Sequence, residues 1–355
     1  MEVDLLKNIS RKAILNSRFI LLNMLCLCLV HAGMLLVSPR SQAQIHPLAD
    51  QYQMNFFQVN PATAGVITLD PLVINARQSG LKWRGYNPPN SESITFQGKL
   101  FKEKSYFNQK GFLNRGQNAF GKIGLGMGFF NYSYGSIRET GVHLDYAYHI
   151  FVGDGRLSFG LAPVFIMFRA NFPDGSLDFN ENPDDVWNSG LDPIKLYFLD
   201  FNAGVHYYSE NLTAGFSCIQ IFNSSLSFKG EYGFPNTEGS ILNPDLSRTF
   251  YGYSGYAFDV YGNGKLRIEP FMMLKYNDQA INRFRIDLTT SVYLNQNFQS
   301  GLTYKLNEGG AVFFGLRWNN FRIKYQFEFP INNTRPVSFT AHVLQVGFDP
   351  GFRVN

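Results

Sequence analysis

Residues 321–329 read Phe-Arg-Ile-Lys-Tyr-Gln-Phe-Glu-Phe, five apolar or aromatic side chains alternating strictly with Arg, Lys, Gln and Glu. A β-strand sends successive side chains to opposite faces, so this stretch has one wholly apolar face and one wholly polar face. The same alternation runs through 283–294. There Phe284, Ile286, Leu288, Thr290, Val292 and Leu294 share one face, and Arg283, Arg285, Asp287, Thr289, Ser291 and Tyr293 share the other. Apolar positions recur at period two through residues 44–355 rather than at the roughly 3.6-residue period of an amphipathic helix. The chain is therefore expected to be all-β.

Period alone does not choose between a soluble sandwich, whose apolar face is core, and a membrane barrel, whose apolar face meets lipid. Length and number do. Fourteen segments carry the pattern, at about 72–82, 92–101, 121–132, 137–151, 156–169, 196–208, 211–222, 249–261, 264–276, 281–294, 297–306, 310–319, 321–329 and 338–348. Most exceed the mean soluble strand of ~5–6 residues and match the ~9–11 that a tilted strand needs to cross a bilayer. An even strand count is what single-chain bacterial outer-membrane barrels have.

The connections alternate in the same sense. Tight turns rich in residues that tolerate positive φ follow the fourth, sixth, eighth, tenth and twelfth segments: Gly153-Asp154-Gly155, Ser209-Glu210, Gly262-Asn263-Gly264, Asn295-Gln296-Asn297 and Asn319-Asn320. Longer connections at 83–91, 170–195, 223–248 and 330–337 follow odd-numbered segments. Short periplasmic turns and longer extracellular loops are the outer-membrane arrangement. The long connection 102–120 is the exception, since parity puts it on the short-turn side: either the count is off by one hairpin or it is a periplasmic elaboration. Aromatics near segment ends (Phe129, Phe130, Tyr132, Tyr134, Tyr207, Tyr208, Tyr251, Tyr253) suit interfacial girdles. With the facing of 283–294 as read, an Arg at Ile286 is expected to be costly and one at Thr289 mild.

The first 43 residues have a basic lead (Lys7, Arg11, Lys12, Arg18), an apolar run from Phe19 to Val37, and Ser41-Gln42-Ala43 as a small-x-small cleavage pattern. That is a secretory signal peptide, with cleavage expected near Ala43. The expected organisation is 1–43 signal peptide, 44–71 an N-terminal periplasmic or plug segment, and 72–355 the barrel. Removing residues 1–43 takes five of 31 basic and two of 27 acidic residues, leaving 26 against 25, a nearly neutral chain without the basic stripe that nucleic-acid binding needs. Cys26 and Cys28 leave with the signal, so Cys218 has no internal disulfide partner and reads as a small apolar strand residue.

Other motif-like matches do not carry chemistry. Gly116 to Lys122 fits GxxxxGK, but Ile123 stands where a Ser or Thr must hold magnesium, and a strand-like run follows where a helix is required. Gly124, Gly126 and Gly128 instead leave one strand face bare, letting another segment pack closely inside a barrel. Glu139, His143, Asp145 and His149 share one strand face, but same-face neighbours lie roughly 7 Å apart, so they read as polar lining rather than a metal set. No serine sits in a nucleophile-elbow pattern. No cofactor and no enzymatic activity are expected. The 170–195 loop carries Asp174, Asp178, Glu181, Asp184, Asp185 and Asp192 with no basic residue between Arg169 and Lys195, an acidic external loop that is solvated or meets a divalent cation or a basic partner.

Gln51-Tyr52-Gln53-Met54-Asn55 followed by Asn60-Pro61-Ala62-Thr63-Ala64-Gly65 resembles the opening block of the PorP/SprF family of the bacterial type IX secretion system. Arg77-Gln78, Trp83 to Pro89 and Ser93-Ile94-Thr95-Phe96 resemble the block that follows, with further likeness at Gly124–Met127, Leu157–Gly160, Asn202–Val205 and Gly301–Tyr304. The resemblance implies a non-enzymatic outer-membrane barrel, working with secretion-ring components or with secreted surface proteins such as gliding adhesins.

Two functional classes remain at this point: an interaction protein that grips such partners, and a passive pore or hydrophobic-substrate transporter. The segment before the first strand is the candidate partner-binding region, through Tyr52, Met54, Phe56, Phe57, Asn60 and Pro61, together with Trp83. A segment so apolar is expected to pack into the lumen or to dock on a protein.

Overall fold

The computed structural model describes residues 55–66, 70–79, 89–100, 122–134, 137–170, 194–222, 227–228, 248–260, 265–278, 284–295, 297–306, 308–331 and 340–349. Its sheet has sixteen strand pieces, two of which, 227–228 and 258–259, are only two residues long. The other fourteen form the wall: β1 (Leu72–Ser79), β2 (Asn90–Lys99), β3 (Ile123–Tyr134), β4 (Ile137–Val152), β5 (Gly155–Ala170), β6 (Ile194–Tyr208), β7 (Leu212–Ile219), β8 (Thr249–Tyr256), β9 (Leu266–Asn277), β10 (Phe284–Leu294), β11 (Phe298–Lys305), β12 (Gly309–Trp318), β13 (Phe321–Pro330) and β14 (Ala341–Phe348). Each of the fourteen segments expected from the alternation coincides with one of these.

Every wall strand pairs antiparallel with its sequence neighbours. β1 closes the ring on β14, with Leu72 opposite Phe348 and Ser79 opposite Ala341. Among the described residues closure leaves the fourteen wall strands no unpaired edge strand, which a lipid environment demands because unpaired backbone groups find no water there. The β4–β5 ladder lapses at Leu144 and Asp145, opposite Ala162 and Pro163, where proline has no N–H to give.

The alternation sets the two faces as expected. In β10, Arg285, Asp287, Thr289 and Ser291 are buried inside while Phe284 and Leu294 are exposed outside. Leu144, Phe216, Leu302, Phe314, Leu316 and Trp318 are likewise exposed on the outer surface, and Cys218 lies outward and half-buried. The aromatics are a correction. Phe130, Tyr132, Tyr208, Tyr251 and Tyr253 point inward and are buried, so they pack the lumen instead of forming girdles. Phe129 faces outward as expected. The residue number along a strand decides the face, and the inward set happens to fall near strand ends.

Asn295 and Asn319 have positive φ (49° and 52°) and Gly153 has φ 60°, so the tight turns use the residues that tolerate that conformation. β2 pairs with β3 over Asn90–Lys99. The strand count therefore needs no extra hairpin, and the connection 101–121 joins the barrel at its short-turn end. The opposite end has the long connections, together with short ones at 135–136 and 306–308.

Candidate functional site

Residues 55–66 lie inside the barrel. They form two single-turn 3-10 helices, Phe56–Gln58 and Pro61–Thr63, each preceded by an asparagine in an extended conformation. Asn55 Oδ1 accepts from Phe57 N (3.2 Å), and Asn60 Oδ1 accepts from Ala62 N (2.9 Å), satisfying a turn donor that would otherwise be buried without a partner. Pro61 follows the second cap, where its missing N–H costs nothing.

Each asparagine also reaches the wall with its other end. Asn55 Nδ2 donates to Thr95 Oγ1 on β2 (2.7 Å), and Asn60 Nδ2 donates to Val205 O on β6 (3.1 Å) and to the Tyr253 hydroxyl on β8 (2.9 Å). At Asn60 neither a carboxylate nor a hydroxyl does both jobs, because a carboxylate has no donor for Val205 O and a hydroxyl lacks the reach.

From Val59 onward the segment follows the wall in reverse strand order. Ser217 on β7 donates to Val59 O (2.5 Å), Ser158 on β5 to Ala62 O (2.6 Å), and His149 Nε2 on β4 to Ala64 O (2.8 Å). Gly65 N then donates to Gln97 Oε1 on β2 (3.2 Å). Each of these bonds gives a buried carbonyl or amide of irregular backbone the partner it must have.

Apolar contacts complete the packing. Phe56 lies edge-on to Tyr253 and Phe271, with ring centroids 5.1 and 5.4 Å away, and Val59 joins Tyr251, Tyr253 and Met273. Phe57 sits over Gly126, beside His143, and clusters with Ala64 and Ala147. Between the segment and β1, Asp70 is held by Arg317 (3.0 Å) and Arg322 (3.2 Å), and Gly347 leaves room for its carboxylate.

The rest of the lumen is lined by ion pairs. Lys275 meets Asp287 at 2.7 Å, Arg77 and Lys305 both meet Glu328 (3.0 and 3.2 Å), and Arg285 pairs with Glu308. His143 is hydrogen-bonded to Asp145, and His149 is committed to Ala64. Among the described residues no group of three His, Cys, Asp or Glu side chains is gathered for a metal.

Of the candidate partner-binding residues, Phe57, Asn60 and Pro61 are buried in the lumen and Phe56 is half-buried there. Tyr52, Met54, Trp83 and the acidic residues Asp174, Asp178, Glu181, Asp184 and Asp185 lie outside the described residues. Ser158, Ser217, His206 and Tyr253 were not evident as functional from the sequence, because each is an ordinary inward strand position until the segment is seen against it.

The family model for the type IX secretion system membrane protein PorP/SprF matches residues 41–348. The chain belongs to the PorP/SprF family. Membership and the closed barrel together make this PorP/SprF protein an outer-membrane component of the type IX system. No curated protein sequence matches it significantly. Among solved structures, the Ralstonia pickettii toluene transporter TbuX is similar at 10% identity and TM-score 0.47, covering 82% of this chain and 92% of that one. A Pseudomonas aeruginosa FadL homologue is similar at 10% identity and TM-score 0.40, with the same coverages of 82% and 92%. Acinetobacter baumannii Omp33 follows at 7% identity and TM-score 0.38, covering 79% and 98%.

Proposed function

We propose that this PorP/SprF protein is a non-enzymatic outer-membrane station for protein partners, either type IX secretion components or secreted surface proteins. Its signal peptide is removed near Ala43, its short turns face the periplasm, and its long connections face outward. The observation that carries this reading is the state of the interior. Lys275 pairs with Asp287 on the neighbouring strand, Arg77 and Lys305 each reach Glu328 over one intervening strand, and the segment 55–66 takes up polar groups of the facing wall. A lumen whose charges are paired off internally presents few of them to a passing solute, which favours a scaffold over a passive pore. Partner contact then falls to the ends of the barrel, including the acidic connection 170–195, whose charge suits a basic partner.

The test is recovery of partners from outer membranes after mild cross-linking in the native cells. The full chain is compared with a variant in which 173–192 is replaced by a short Gly/Ser linker. The proposal expects type IX components or secreted surface proteins with the native chain, and their loss with a linker variant that still folds. A native chain that recovers neither, while admitting small solutes in liposome swelling, would return the pore or transporter reading to first place.

A further inference from the structure

The register of the wall supplies the internal segment with a seat. Gly124 on β3 lies opposite Ala147 on β4, Ala147 opposite Gly160 on β5, Gly160 opposite Gly204 on β6, and Gly204 opposite Ser217 on β7. Five consecutive strands thus place one small inward residue each in a single row that crosses them. Glycine in a strand interior weakens the strand and packs nothing, so an aligned run of it marks a close approach by other backbone.

The backbone that approaches is that of residues 60–64. A Cβ on Gly204 would stand 2.1 Å from Asn60 Oδ1, one on Gly160 2.1 Å from Ala62 N, and one on Gly124 2.0 Å from Ala64 O. In the next row, Gly126 makes room for the Phe57 ring, which a Cβ would meet at 2.2 Å. These obstacles are backbone atoms, a capping oxygen and a wedged aromatic ring, none of which can swing aside as the end of a long side chain can.

The segment is tied at both ends as well as along its length. Asn55 fixes it to Thr95, and Asp70 fixes the start of β1 to Arg317 and Arg322. Asn60, 0% exposed, joins β6 and β8 across it.

We infer that residues 55–66 are a resident plug, that the Gly124–Ala147–Gly160–Gly204–Ser217 furrow is its seat, and that the native barrel does not conduct ions. On this inference the Asn-Pro-Ala-Thr-Ala-Gly block is a latch bonded from inside the barrel and not an exposed docking motif. The inference concerns the barrel alone and stands or falls independently of which partners it binds.

The experiment is single-channel recording in planar bilayers on the purified full chain, a deletion of 55–66, and Gly160→Leu. The variants carry Cys218→Ser, and folding is checked by heat-modifiable migration. The expected result is a silent native barrel and step currents in both variants. Gly160→Leu keeps the test decisive if the deletion does not fold, since it displaces the plug without removing it. A native barrel that conducts as well as the variants overturns the inference, and so do folded variants that stay silent. A third arm adds the pair Ala64→Cys and Ala147→Cys, which belong to one buried cluster with Phe57. If the native barrel opens intermittently and oxidation of this pair abolishes the openings, the segment is a moving gate, and residency is overturned.

Discussion

Asn60 donates from Nδ2 to the Tyr253 hydroxyl at 2.9 Å, joining two residues 193 positions apart across the interior of the barrel. The same hydroxyl pairs with His206 Nδ1 at 2.9 Å, so one asparagine connects a turn of the internal segment to two strands of the wall. Both partners are buried, and neither can exchange the bond for water without moving.

This bond is tested by Asn60→Asp. Aspartate keeps the acceptor for Ala62 N but has no N–H for Val205 O or Tyr253, and it places a carboxylate in a fully buried site. We expect a loss of about 2–4 kcal/mol, counting a lost buried bond and an unpaired polar group. Asn60→Ala, which removes cap and clamp together without adding charge, should cost about 1–3 kcal/mol. Unfolding curves in detergent that leave Asn60→Asp equal to the native chain would show that the clamp does not hold.

The outward face predicts a different pattern. Leu302 is 63% exposed on the outer surface, between Thr290 and Val312 of the neighbouring strands. Leu302→Arg should destabilise the barrel by ~2–4 kcal/mol if the site is near the midplane, while Leu302→Phe should be nearly neutral. Equal effects, measured in bilayers, would mean that this face does not meet lipid. The inward position Thr289 is less forgiving than its facing suggested, because it is 4% exposed and bonded to Thr303; an arginine there has no space to occupy.

Lys275 and Asp287 form an ion pair at 2.7 Å with both side chains about 1% exposed. Asp287→Asn should cost about 3–5 kcal/mol by removing the carboxylate that faces this buried ammonium. The double change Lys275→Met with Asp287→Leu should recover most of that loss, since well-packed apolar residues replace a buried pair with little penalty. A double variant as unstable as the single one would mean that shape, not charge, governs the site.

The proposed orientation, with the short turns in the periplasm, is tested by labelling. In a Cys218→Ser background, a cysteine at Asp154 should resist a membrane-impermeant maleimide in intact cells and react once the outer membrane is opened. A cysteine at Ser176 should react in intact cells. The reverse pattern inverts the barrel.

The wall was legible in the sequence because period two is a property of single segments: 321–329 shows its two faces without reference to any neighbour. Gly124, Gly126 and Gly128 could be read as a bare strand face for the same reason, and they meet Ala64, Phe57 and His143. The furrow was not legible. Gly160, Gly204 and Ser217 lie on three strands, and only the pairing register shows that they form one row. The inward turn of Phe130, Tyr132 and Tyr253 was missed because an aromatic near a strand end serves equally as girdle or as packing, and only its parity in the strand decides.

Amide hydrogen exchange over residues 55–66, in the purified full chain in nanodiscs, reads directly whether the segment is seated. Ala62 N is bonded to Asn60 Oδ1, Thr63 N to Asn60 O, Ala64 N to Pro61 O, Gly65 N to Gln97 Oε1 and Val66 N to Thr63 O, all within the lumen. A seated segment shows protection of these amides comparable to the β5 and β6 strands that hold them. Exchange as fast as that of the exposed Gly153-Asp154 turn would contradict it.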